Sequence, residues 1–215
     1  MDLSKPLQTQ LYDHLKEQIL AGEFDTGVFY SETKLAKELS VSRTPLRNAL
    51  RALEQDGYLI ISPSRGFQLR KLDQEGLRSN IEIRCALEGY CAYCAAEQPA
   101  AAKTQELIQK LEYLLNKAEI FIGDPAKLSD FMKYDHAFHV CIVSFTGIQG
   151  FQSDFQKIYY WIRQTSEREL QVEGRVQETF DEHQRILEYI RNGDKVAAYQ
   201  EMIRHLKKPL SIVEL

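Results

Sequence analysis

Long apolar runs, an export signal and abundant cysteine are all missing from this sequence. Of its 215 residues, 44% are hydrophobic and 27% are charged, which is typical of a globular protein. No apolar run approaches the roughly 18 residues that a membrane-spanning helix needs. Residues 1–5 also lack the apolar segment of a signal peptide. We therefore expect a cytoplasmic protein with two modest domains and no membrane partner.

The sequence has few cysteines and no strong excess of charge. Cys85, Cys91, Cys94 and Cys141 are expected to stay reduced and to act as small buried hydrophobes. Cys91 and Cys94 form a CxxC pair, but no second pair follows at a zinc-binding spacing. The formal net charge of −4 is compatible with DNA binding, since only the face turned toward phosphates must be positive.

Residues 31–50 predict two short amphipathic helices separated by a turn. Ser31 and Ser42 are good N-caps for these helices, and Ser40 lies in the turn between them. The second helix has apolar residues at helical spacing: Leu46, Ala49, Leu50 and Leu53. A further helix is predicted over residues 6–21, and residues 58–70 indicate a hairpin with a basic tip. This order is typical of a winged helix-turn-helix.

Three arginines lie on one face of the predicted helix that Ser42 caps. Arg43, Arg47 and Arg51 are spaced four apart, so they form a strip beside the apolar stripe. Such a strip can reach phosphates, or guanine, whose O6 and N7 acceptors match the arginine fork. The alternative is an ordinary solvated helix face. The turn, the preceding helix and the wing favour DNA binding.

The first 72 residues resemble the GntR-type winged-helix regulators of bacteria. The matching residues are Gly22-Glu23-Phe24, Gly27, Ser31-Glu32, Leu35-Ala36, Val41 through Arg47, Ala49-Leu50, Leu53, Gly57 and Arg65-Gly66. The chain departs from the family pattern at Phe29, Tyr30 and Thr33. The resemblance implies contacts from Arg43 and Arg47 to bases or backbone, and a wing that approaches the minor groove at Gly66. The predicted DNA-binding residues are Ser42, Arg43, Thr44, Arg47, Arg51, Arg65 and Gly66.

Residues 73–215 show helical patterns and no strand signal. The patterns are broken near Pro99, residues 123–125, residues 147–150, Gly174 and Gly193. An all-helical bundle is therefore predicted behind the winged helix. We expect residues 1–72 to bind DNA, residues 73–215 to bind an effector and dimerise, and residues 73–76 to form the junction.

Three of the five histidines fall on helix faces that we expect to be buried. Asp135 and His139 are four apart on one face, and His183 and His205 each align with apolar residues of their own helices. One carboxylate and three imidazoles in one bundle suit Zn²⁺, Ni²⁺, Mn²⁺ or Fe²⁺. The alternative is that each histidine is an ordinary core residue.

Residues 135–139, 182–194 and 198–206 are similar to the FCD effector domain of the FadR-like branch of the same family. The resemblance implies that Asp135, His139, His183 and His205 hold a divalent transition metal. If the metal is octahedral, these ligands leave room for water or a small carboxylate.

Two further residues are predicted to contact the effector. Arg84 matches an arginine that commonly pairs with an effector carboxylate, and the alternative is a salt bridge with Glu88, four residues on. After Thr146-Gly147 the family often has asparagine, whereas this chain has Ile148 and then Gln149, so either Gln149 takes that role or the effector is less polar there.

The sequence therefore predicts a transcription regulator, expected to be a repressor, that binds a palindromic operator as a homodimer. It would sense a small organic acid, with a carboxylate group, through its metal site. A metal-free regulator with packed histidines is the milder alternative, and activation is left open. A metal-dependent hydrolase is the other class, because a bound metal can activate water. No nucleophile motif or glycine-rich phosphate loop completes an active site, so we expect no enzyme.

Overall fold

The computed structural model describes residues 5–71 and 73–213. Its backbone contacts divide the chain into two compact units, Met1–Lys71 and Leu72–Leu215. The predicted domain boundary falls at Leu72, which lies outside the described residues. Within the described ranges, no helix has both the length and the apolar character needed to cross a membrane.

The first unit is a winged helix-turn-helix. Its elements, in chain order, are α1 (Leu7–Ala21), α2 (Glu32–Glu38), α3 (Arg43–Gln55), β1 (Leu59–Ser62) and β2 (Gly66–Leu69). The two strands are antiparallel, with Leu59 opposite Leu69 and Ser62 opposite Gly66. The predicted helix-turn-helix and hairpin wing are thus confirmed.

Local sequence signals explain most of the ends of these helices. Gly22 ends α1 with φ 80°, a left-handed conformation that glycine adopts without steric cost. Ser31 caps α2 by accepting a hydrogen bond from the backbone N–H of Lys34. Ser42 stands at the N-cap of α3, but its side chain makes no capping hydrogen bond. The predicted N-cap position of Ser42 is therefore confirmed.

The second unit is built from helices, as predicted, and its described residues contain no strand. Its first helix, α4 (Gln74–Arg84), continues through a π turn (Cys85–Gly89) into α5 (Tyr90–Glu97). The remaining helices are α6 (Ala102–Glu119), α7 (Leu128–Phe145), α8 (Gln149–Glu169), α9 (Arg175–Asn192), α10 (Lys195–Lys207) and the short α11 (Pro209–Ile212). A 3₁₀ turn, Pro125–Lys127, precedes α7.

The predicted junction at residues 73–76 is wrong. The side chain of Asp73 accepts a 2.7 Å hydrogen bond from the backbone N–H of Gly76. Asp73 is therefore the N-cap of α4, and residues 74–76 form the first turn of that helix. An acidic residue at this position also interacts favourably with the helix dipole.

Apolar side chains of the second unit form one main core, and a smaller cluster consists of Leu87, Val143, Phe155, Ile158 and Ile162. Cys85 and Cys91 are buried in the main core, whereas Cys94 and Cys141 are only half-buried. The expectation of four buried cysteines is correct for two of them, and all four are free thiols. Burial raises the pKa of the Cys91 thiol to about 12, so this thiol stays protonated at neutral pH.

Gly66→Ala should destabilise the wing. Gly66 has φ +98°, and an added Cβ would lie 2.1 Å from the carbonyl oxygen of Tyr30. The left-handed conformation alone costs about 1–2 kcal/mol, and the collision adds to that cost. We expect faster hydrogen exchange at the amides of Tyr30 and Phe67, which bond to each other's carbonyls.

Gly27→Ala is the matched control, because Gly27 has φ +85° but an added Cβ would meet only the flexible end of Lys71. Equal effects of the two variants would show that the approach of Tyr30 does not determine the choice of glycine at position 66.

Candidate metal centre and DNA-binding surface

The arginines of α3 and the wing tip line one cleft of the first unit. Arg43, Arg47 and Arg51 are exposed on α3, and this cleft also includes Arg65 and Gly66. Ser42 and Thr44 are exposed at the start of α3 but are not among the residues that line the cleft. A helix and a wing that share a basic surface can contact the backbone and the grooves of one duplex.

Glu32 holds one of these arginines from the neighbouring helix. The Nε atom of Arg47 donates to Oε2 of Glu32 over 3.1 Å, and Glu32 is buried while half of the Arg47 side chain is exposed. This contact fixes the direction of Arg47 and partly neutralises its charge. Glu32 is not among the predicted DNA-binding residues, although the Ser31-Glu32 pair is part of the resemblance.

The wing tip rests on the segment that precedes α2. The backbone N–H of Tyr30 donates to the carbonyl of Phe67 over 2.7 Å, and the reverse bond is 3.0 Å long. The guanidinium of Arg65 lies 5.4 Å from the centre of the Phe29 ring, which is within cation–π range. Phe29 and Tyr30, noted as departures from the family pattern, therefore both contact the wing.

In the second unit, the structure brings together His139 of α7, His183 of α9 and His205 of α10. Their Nε2 atoms lie 3.2 Å apart for the pairs 139–183 and 183–205, and 3.3 Å apart for the pair 139–205. All three side chains are buried. Oδ1 of Asp135 lies 3.8 Å from Nε2 of His183, further away than the nitrogens are from one another.

Buried carboxylates hold the outer nitrogens of two of these rings. Nδ1 of His139 lies 2.5 Å from Oε2 of Glu88, and Nδ1 of His205 lies 2.7 Å from Oε2 of Glu182. Burial by itself raises the pKa of both carboxyl groups, but adjacent cations and hydrogen bonds outweigh it and hold each pKa at about 2. The ionised carboxylates can only accept, so each Nδ1 must donate.

This proton arrangement fits a metal cation. With hydrogen on Nδ1, Nε2 of His139 and Nε2 of His205 each present a lone pair to the same point. Burial also lowers the pKa of His139 and His183, which favours the neutral rings that metals require. Zn–N bonds of about 2.0–2.1 Å in tetrahedral geometry place nitrogens roughly 3.3–3.4 Å apart, close to the observed separations.

Arg84 makes the salt bridge that is one of its two interpretations, and its contact with an effector stays a prediction. Its Nε atom donates to Oε1 of Glu88 over 2.6 Å, which is the predicted salt bridge. Its Nη2 atom is buried and has no hydrogen-bond partner among the described residues. Because an unpaired buried donor is costly, this atom is available for an acceptor such as a carboxylate.

Arg175 pairs with the carboxylate that bonds His205, just as Arg84 pairs with the carboxylate that bonds His139. Its Nη2 donates to Glu182 over 2.8 Å, and its Nε donates to Glu169 over 2.6 Å. Arg175 is 1% exposed, and both carboxylates are buried. Arg175 and Glu169 are not among the residues predicted from the sequence, and Glu88 is predicted only as an ion-pair partner of Arg84.

The predicted effector contact Gln149 lies apart from the cluster, and so does His136, the other histidine of the second unit. Gln149 is the first residue of α8 and is exposed, and the contacts of the three histidines do not include it. His136 is buried against the ring of Tyr159, with centroids 4.1 Å apart, and its Nε2 has no partner among the described residues.

Each of the two units matches a known protein domain. Residues 80–208 match the FCD domain, and residues 7–69 match the bacterial regulatory proteins of the gntR family. The chain belongs to the GntR family. Its two matched domains are those of transcription regulators, so the expectation that it is not an enzyme is confirmed.

Several bacterial transcription regulators are similar to this chain in sequence. The chain is 28% identical to the HTH-type transcriptional regulator YdhC of Bacillus subtilis over 95% of this chain and 90% of YdhC. It is 30% identical to the HTH-type transcriptional repressor RspR of Escherichia coli over 68% of this chain and 62% of RspR. The solved structure of E. coli McbR/YncC shares the fold, with a TM-score of 0.72, 20% identity and 97% coverage of both chains.

Proposed function

We propose that this GntR-family regulator is a cytoplasmic repressor that binds a palindromic operator as a homodimer, with the first unit reading DNA. The cleft that joins Arg43, Arg47 and Arg51 to the wing tip carries this proposal. A single small winged helix has few contacts, and two related by a two-fold axis double them on a palindrome. Repression is favoured because the relative RspR is named a repressor.

We further propose that the second unit is the sensor and that His139, His183 and His205, with Asp135 beside them, hold a divalent transition metal. Their converging nitrogens support this proposal. When bound, Zn²⁺, Ni²⁺, Mn²⁺ or Fe²⁺ would supply an electrophilic centre for an anionic oxygen ligand. The residues of the chain exclude water, orient the imidazoles and neutralise charge around that centre.

The effector that we propose is a small carboxylate. The free Nη2 of Arg84 is the donor that would bind it, since arginine pairs with carboxylates through its guanidinium edge. Gln149 remains a weaker candidate because it is exposed. The effector can change DNA affinity only by as much as it prefers one state of the regulator over the other.

Arg43→Ala should weaken DNA binding by about 1–3 kcal/mol if Arg43 reads a base edge. The measurement uses duplexes that the wild-type chain selects from a random-sequence pool, titrated at several salt concentrations. Lys37→Ala is the control, because Lys37 is exposed on α2 outside the cleft. Wild-type affinity in Arg43→Ala, with its fold intact, would contradict the assignment of α3 as the recognition helix.

His183→Ala should abolish metal binding, because it removes the nitrogen that lies 3.2 Å from each of the other two. Mass spectrometry of purified wild-type protein should find about one transition metal per chain. His136→Ala is the control, since it removes a buried histidine of the same region that lies outside the cluster. Absence of metal from wild-type protein after reconstitution would leave the three histidines as core residues.

A further inference from the structure

Two chains of buried ionic contacts end on ligand-candidate histidines. One runs from Nε of Arg84 to Glu88 (2.6 Å) and from Glu88 to Nδ1 of His139 (2.5 Å). The other runs from Nη2 of Arg175 to Glu182 (2.8 Å) and from Glu182 to Nδ1 of His205 (2.7 Å). In both, the arginine and the carboxylate are at least nine-tenths buried. His139 and His205 therefore have the same arrangement, in which a buried carboxylate bonds Nδ1 and a buried arginine bonds that carboxylate.

We propose that Glu88 and Glu182 are positioning residues for the metal, which fix the proton of His139 and His205 on Nδ1 and so aim each Nε2 lone pair at the centre. This inference rests on the proposed metal site and assigns roles to residues outside its ligand set. Carboxylates that bind the outer nitrogen of a ligand histidine fix its tautomer and raise its basicity. Arg84 and Arg175 hold the two carboxylates in place through hydrogen bonds of 2.6 and 2.8 Å.

His183 is oriented by a different contact. Its ring stacks on Phe138 with centroids 4.3 Å apart and planes 8° from parallel. None of its described contacts places a carboxylate on its Nδ1 atom, and its nearest carboxylate, that of Asp135, faces Nε2. The proposal therefore concerns two of the three rings, and His183 serves as an internal comparison.

The surroundings of Arg175 make Glu182 the better residue to change. Glu88→Gln would remove the carboxylate that pairs with the buried Arg84. A buried charge without a partner is strongly destabilising, so this variant is at risk of misfolding. Glu182→Gln leaves Arg175 bonded to Glu169 at 2.6 Å and near Glu178 at 3.5 Å. Its charge stays paired, so the fold should survive.

The experiment compares Glu182→Gln with Glu169→Gln in the full chain. Both variants remove one buried carboxylate from the same arginine, but only Glu182 bonds a histidine ring. Zinc affinity is measured by competition with a chromophoric chelator. We expect roughly 10–100-fold weaker zinc binding in Glu182→Gln and little change in Glu169→Gln. Equal weakening in both variants would overturn the positioning role, because it would reflect lost charge alone.

A second measurement needs no variant to fold. Long-range ¹H–¹⁵N correlation spectra of the metal-free wild-type protein report which nitrogen of each histidine carries hydrogen. Hydrogen on Nδ1 of His139 and His205 supports the proposal, and hydrogen on Nε2 of either ring overturns it for that ring. Failure of wild-type protein to bind zinc would instead overturn the metal site itself, so the two failures are distinguishable.

Discussion

Three imidazole nitrogens face one another inside the helical unit, and much of the buried polar structure around them follows from that arrangement. Lone pairs 3.2–3.3 Å apart repel unless a proton or a cation lies between them. The ionised carboxylates at the outer nitrogens favour the tautomers that leave these lone pairs free. Those carboxylates are themselves buried, which is tolerable only because Arg84 and Arg175 pair with them.

This network has two consequences for a regulator. Leaving a buried charge without its partner typically costs about 3–5 kcal/mol, so loss of Glu88, which pairs with the buried Arg84, would affect folding as well as binding. Arg84 also bonds Glu88 through Nε while its Nη2 stays free. An anion that binds Arg84 would therefore act on the same chain of contacts that orients His139. The proposed sensing of a carboxylate and the proposed metal site would then be physically linked.

Sequence periodicity predicted the fold, but it could not predict which carboxylates bond the outer nitrogens of the histidines. The apolar spacing of Leu46, Leu50 and Leu53 and the glycine breaks mark helices, because helix geometry repeats locally. Glu88 meets His139 across 51 positions, and Glu182 bonds His205 rather than its neighbour His183. Such pairs depend on how helices pack, which no local pattern encodes. The π turn that contains Glu88 likewise leaves no periodic signature.

The most direct test of the central claim is anomalous diffraction at the zinc absorption edge from crystals of the full chain loaded with Zn²⁺. The account predicts one strong peak per chain, about 2.0–2.1 Å from the Nε2 atoms of His139, His183 and His205. A peak at the half-buried Cys94 or on the protein surface, with none between the three rings, would contradict it.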